Sequence, residues 1–151
     1  MTTIQFYHLT TTPLERALPK LVEKAYSAGN RVLLVESAVE KLDLLNQVLW
    51  TYSTLTFLPH GAVKDGGAED QPILLSPTLD NLNRADVAVI TDGTALPETS
   101  AFKRVTDMFD GNDEAAVQRA RTRWKHYQNA GCTLTYLRQN ESGGWEEKAV
   151  A

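Results

Sequence analysis

One cysteine, Cys132, leaves no partner for a disulfide within the chain, and rules out a disulfide framework and a four-cysteine zinc site alike. The three histidines, His8, His60 and His126, are far apart, and no His-x-x-x-His or Cys-x-x-Cys spacing occurs. Metal binding therefore has no motif to rest on, and no cofactor is expected. Long apolar runs are missing too: none approaches the roughly 18 residues of a membrane span. The opening Met1-Thr2-Thr3-Ile4 lacks the basic-then-apolar pattern of a signal peptide, so a reduced, cytoplasmic compartment is expected. Positive charge is in deficit: the formal net charge is -4, which argues against the chain as a whole being a nucleic-acid binder.

What is present is an ordinary globular composition, 42% hydrophobic and 23% charged, over 151 residues, the size of one domain. Ile4 to Leu9 reads as an opening strand. Pro13 starts a helix carrying Leu14, Leu18, Leu21, Val22 and Ala25, with Thr12 as N-cap, Gly29 as the stop and Pro19 as an expected kink. The run Val32-Leu33-Leu34-Val35 suits a buried parallel strand, and Ser37 is read as the cap of a second helix through Leu49. After an irregular middle, residues 52–72, come strands at Ile73–Leu75, Ala85–Ile90 and Phe102–Phe109. A helix opened by Asp113 and closed by Gly131 follows, then a strand over Thr133–Leu137. This alternation predicts a single α/β domain over 1–139: a mostly parallel open sheet of about five strands flanked by helices, Rossmann-like without a phosphate-binding loop. Residues 140–151 read as a polar tail, either mobile or folded into a short hairpin.

Sheets of this kind often hold nucleotides, yet the turn after the first strand, Leu9-Thr10-Thr11-Thr12-Pro13, contains no glycine to bring backbone against phosphate. Gly61, Gly66 and Gly67 precede no Lys-Ser/Thr pair and read as a loop. Cys132 with His126 lacks the third group that orients a nucleophile and its base. Asp92, in Thr-Asp-Gly at a strand end, reads as a turn residue. No catalytic residue is expected.

One segment departs from the acidic trend. Arg119, Arg121, Arg123 and Lys125 place four cations within seven residues, interleaved with Trp124 and Tyr127. On a helix Arg121 and Lys125 share a face, with Val117 one turn before and Trp124 nearby. An apolar notch rimmed by cations suits an acidic peptide ending in a hydrophobic residue, since arginine holds a carboxylate bidentately. The same stripe, Val117, Ala120, Trp124 and Tyr127, also reads as a core face with the basic residues solvated behind it. Trp50 and Phe57 pose the same choice: core, or an aromatic anchor for a protein partner if exposed together.

Taken in order, these segments resemble a known family, the chi subunit of bacterial DNA polymerase III holoenzyme. The residues that carry the resemblance are Phe6-Tyr7, Gly29-x-Arg31-Val32-Leu33, Leu49-Trp50, Phe57-Leu58-Pro59-His60, the glycine loop and Pro72-Ile73-Leu74-Leu75. Ala120-Arg121-x-Arg123-Trp124-Lys125-x-Tyr127-x-x-Ala130-Gly131 closes the series, which reaches about residue 137. The resemblance implies a non-catalytic accessory protein that bridges two partners: the psi subunit, which leads to the clamp loader, and the acidic, phenylalanine-ended C-terminal tail of the single-stranded DNA-binding protein. Contact with single-stranded DNA would then be indirect. It places Arg121, Trp124 and Lys125 on the tail-binding motif, Val117 and Gly131 near the same pocket, and Trp50 and Phe57 on the surface used for psi or for a competing helicase. Trp124 stands where tyrosine is commoner. The loop from Gly61 to Gln71 and the segment Asp110-Gly111-Asn112, in place of an apolar stretch, depart from the family pattern. Two rival readings remain: a small nucleotide-binding or hydrolytic enzyme with a degenerate phosphate site, and a direct binder of single-stranded DNA.

Overall fold

The computed structural model describes residues 2–52, 58–97 and 102–148. In chain order its elements are β1 (Thr3–Leu9), α1 (Leu14–Ser27), β2 (Val32–Val35), α2 (Val39–Thr51), β3 (Gly61–Ala62), β4 (Ile73–Ser76), β5 (Val87–Ile90), β6 (Arg104–Asp110), α3 (Glu114–Asn129), β7 (Thr133–Gln139) and β8 (Trp145–Lys148). The strands form one sheet in the order β3-β4-β2-β5-β6-β1-β7-β8. Seven run parallel and β8 is antiparallel to β7. The expectation of about five parallel strands is therefore corrected to eight in a mixed sheet. Two strands lie outside those read from the sequence and have little apolar pattern: β3 is Gly61-Ala62 alone, and β8 reads Trp-Glu-Glu-Lys within the segment expected to be a mobile tail or a short hairpin.

Connection handedness sets the layers. The steps from β1 to β2 and from β2 to β3 move toward one sheet edge, and the step from β6 to β7 moves toward the other. Right-handed crossovers in opposite directions lie on opposite faces. Accordingly Leu18 and Val22 of α1 and Leu42, Leu45 and Leu49 of α2 pack with Tyr7, Leu9, Leu34 and Met108 on one face. Ala120 and Tyr127 of α3 pack with Phe6, Leu33, Ile90 and Phe109 on the other. The two-residue period of β1 thus sends Phe6 and His8 toward α3 and Tyr7 and Leu9 toward α1. Among the described residues no helix is long and apolar enough to cross a membrane.

Helix ends follow the sequence in part. Asp113 caps α3, its carboxylate accepting from the Ala115 and Ala116 amides at 3.1 and 3.4 Å, and Gly131 ends it at φ +81. Two expected caps are corrected. The residue before α1 is Pro13, and the Thr12 hydroxyl accepts from Gln139 Nε2 (2.8 Å) instead. The residue before α2 is Ala38, whose amide donates to the Glu36 carboxylate (3.0 Å); the Ser37 amide donates to Asp92 (3.0 Å). Helix α1 runs through Pro19, which is buried. Arg31 is structural: its guanidinium donates to the carbonyls of Asn83 (2.7 Å), Glu69 (2.9 Å) and Gln71 (3.2 Å), fastening two loops beside β2.

Candidate functional site

Helix α3 does not lie flat on the sheet along its whole length. Ala120 and Tyr127 are buried, and the Tyr127 hydroxyl accepts from the Leu96 amide at 2.9 Å. Between α3 and strands β1, β6 and β7 a groove of about 670 Å³ opens. Its wall on the helix side is Val117, Arg121, Trp124 and Lys125; its floor is Phe6, His8, Phe109 and Tyr136. Four of the five tail-site residues read from the sequence therefore meet in one concave place. Gly131, the fifth, ends α3 and does not line the groove.

The competing core-stripe reading holds for half of the stripe. Ala120 and Tyr127 are core, whereas Val117 and Trp124 are half-buried and wall the groove. Trp124 stands edge-on to Phe6 (ring centroids 5.2 Å apart) and to Tyr136 (6.2 Å), which fixes the indole without closing the groove. The four cations also divide. Arg119, Arg121 and Lys125 are exposed, but Arg123 turns inward and pairs with Asp107. The charge available to a ligand at the rim is thus Arg121 and Lys125, over an aromatic and aliphatic interior.

The floor holds residues that the sequence alone did not single out for this site. His8 Nδ1 and the Tyr136 hydroxyl are hydrogen-bonded across neighbouring strands. Burial first, then the charges of Arg138 and Arg121, push the His8 imidazole below its ordinary value, against the Asp110 carboxylate and a backbone hydrogen bond to Gly111. Burial raises the Tyr136 phenol, and Arg138 and Arg121 oppose it. Arg138 is therefore a third cation near the groove. The signal for His8 was its two-residue spacing from Phe6 on the α3 face of β1; the alternation of Leu134, Tyr136 and Arg138 gave the same signal for β7. Gly111 explains the departure at Asp110-Gly111-Asn112. A Cβ there would overlap the His8 ring and the Leu9 carbonyl, so only glycine fits.

Trp50 is 55% exposed near the end of α2, its ring 4.5 Å from that of His60. His60 sets its two ring nitrogens against the carbonyls of Leu58 (2.6 Å) and Asn46 (3.3 Å), tying the loop to α2. Phe57 lies outside the described residues. Asp92 is the turn residue its context suggested. Burial alone would raise its carboxyl, but hydrogen bonds from Thr94 and Ser37 outweigh it and hold the group below its ordinary value. Cys132 is half-buried and His126 exposed; among the described residues no group of three metal-ligating side chains occurs.

The turn after β1, where a doubly wound sheet places a phosphate, is filled from within. The amides of Thr10 (3.2 Å), Thr11 (2.9 Å) and Thr12 (3.0 Å) all donate to Gln139 Oε1, reaching over from the end of β7. Three converging N–H groups make the concavity that holds anions in other proteins. Here a neutral amide oxygen of the chain itself sits in it.

A family model described as DNA polymerase III chi subunit, HolC, matches residues 1–135. A protein of Rickettsia prowazekii (strain Madrid E), named probable DNA polymerase III subunit chi, is 31% identical over 128 residues, covering 78% of this chain and 78% of that one. DNA polymerase III subunit chi of Escherichia coli (strain K12) is 25% identical over 122 residues, 80% of this chain and 82% of its own. With a match of that length, over all elements up to the middle of β7, the chain belongs to the DNA polymerase III chi subunit family.

Proposed function

We propose that this chi-family subunit is a non-catalytic adaptor in DNA replication, working in the cytoplasm. It would hold the acidic, hydrophobic-ended C-terminal tail of the single-stranded DNA-binding protein in the α3 groove and reach the clamp loader through psi. The observation that carries the reading is the joining of Arg121 and Lys125 with Val117 and Trp124 around one groove. Cations at the rim attract an acidic segment and can pair its terminal carboxylate, and the aromatic interior takes the last side chain. Trp50, exposed at the far end of α2, is the proposed contact for psi or for a helicase that competes with it.

The rival readings lose support. A nucleotide site would need the amides of the β1 turn, and Gln139 already accepts from all three. A direct hold on bare single-stranded DNA would draw on a run of free cations, and Arg123 is internal on a chain of net charge -4.

The test is calorimetric titration with an acidic peptide ending in phenylalanine, beside a copy lacking that residue. Full-length peptide binds, the truncated copy binds weakly, and affinity falls as salt rises. Arg121→Ala weakens binding roughly tenfold, the scale of one lost charge-assisted hydrogen bond. Arg119→Ala, outside the groove lining, has a smaller effect. Equal losses at the two positions would mean diffuse attraction and no pocket.

A further inference from the structure

His8 and Tyr136 come from residues 128 apart in sequence and meet at the groove floor. The Nε2 edge of the imidazole lies against Gly111, the one residue type that admits the ring there. Neutral His8 with its proton on Nε2, the edge that faces Gly111, leaves the Nδ1 lone pair toward the Tyr136 hydroxyl. Nδ1 then accepts from the Tyr136 hydroxyl, whose proton points at the histidine and not into the groove. A second proton, added at Nδ1, reverses that bond: Nδ1–H donates to the phenol oxygen, and the hydroxyl proton is released toward the groove. The charged groups around the ring are Arg121 of α3, Arg138 of β7 and Asp110 of β6.

We propose that His8 and Tyr136 form a proton-gated donor for a ligand carboxylate at the floor of the α3 groove. One proton taken up at Nδ1 frees the Tyr136 hydroxyl to donate to the carboxylate and sets a positive ring beside Arg121. The inference rests on the reading that this groove takes an acidic peptide. Binding and proton uptake are then linked: the carboxylate favours charged His8, and charged His8 favours the carboxylate.

The experiment is calorimetric titration of the whole protein with the same phenylalanine-ended acidic peptide, in pairs of buffers of different ionisation heat, between about pH 8 and about pH 5.5, where peptide carboxylates stay ionised. Binding takes up protons and tightens roughly fivefold across that range, the scale of one partly exposed ion pair. His8→Gln abolishes the uptake, Tyr136→Phe reduces the tightening, and His126→Gln, altering an exposed histidine outside the groove lining, leaves both intact. Wild-type binding that is flat with pH, or pH dependence that survives in His8→Gln, would overturn the gating and leave the peptide groove standing. A Tyr136→Phe protein indistinguishable from wild type would overturn the role given to the hydroxyl. No binding at any pH would remove the groove reading itself, and the gating with it.

Discussion

The Arg123 guanidinium grips Asp107 with two hydrogen bonds, Nε to Oδ2 at 2.8 Å and Nη2 to Oδ1 at 2.9 Å, and the carboxylate side chain is only 1% exposed. Such a pair holds α3 at a fixed rotation on the sheet, because Asp107 belongs to β6 and cannot move without it. That rotation puts Arg121 and Lys125 at the groove rim. Removing Arg123 leaves a buried carboxylate alone. Arg123→Met is expected to cost about 3–5 kcal/mol, and Arg123→Met with Asp107→Leu to recover much of it, since an apolar pair of similar volume carries no stranded charge. Urea unfolding checks this. A single mutant as mild as Arg119→Ala would show that the pair does not set the helix.

Gly111 sits where β6 turns toward α3, and its α-carbon faces the His8 ring and the Leu9 carbonyl. Gly111→Ala forces one of them to move and is expected to destabilise by about 1–3 kcal/mol, the range for overpacking. Adding His8→Ala relieves only the ring contact, so the double mutant regains part of the loss and not all. Thermal unfolding of the three proteins separates the two contacts; full recovery would place the whole strain on the histidine.

Gln139 supplies one oxygen to three amides of the β1 turn while its own Nε2 donates to Thr12 Oγ1 (2.8 Å). Gln139→Ala strands these donors and is expected to cost about 1–3 kcal/mol. With the plug in place, millimolar nucleotide should leave the melting temperature unchanged, because a ligand stabilises only by binding the folded state. A clear upward shift in wild type would reopen the nucleotide reading.

The His8 imidazole sits below its ordinary value of 6.5 in the folded protein. Between its depressed value and 6.5 the unfolded chain holds more protons on this group than the folded chain does. Its contribution to stability is complete above 6.5 and is lost as pH falls through that window. Urea midpoints measured across the window should fall with acidification, and less steeply in His8→Gln. Equal slopes would mean other groups account for the loss.

The helical half of the site was legible in the sequence, and the strand half was not. Val117, Arg121, Trp124 and Lys125 are neighbours in sequence, so helical periodicity alone placed them on one wall. His8 and Tyr136 become neighbours only through a parallel pairing of β1 with β7, a register no local pattern encodes. Arg123 looked like the other cations of α3, since charge type says nothing about which face a residue occupies; Asp107, sixteen positions earlier, decides it. The apolar strands β2, β4 and β5 were read from their composition. The two-residue β3 escaped because two residues hold no period, and for β8 the pattern left tail and hairpin both open because its faces are mostly polar.

The placement of β8 bears on how copies of this subunit behave when crowded. Without it the outer edge of β7 from Tyr136 to Gln139 would be open to a strand from another molecule. With it, that stretch is covered, and the new margin carries Glu146, Glu147 and Lys148, while the opposite margin is the two-residue β3. Short and charged borders are poor templates for strand pairing between molecules. Copies of this subunit brought close together would therefore stay separate and not zip edge to edge.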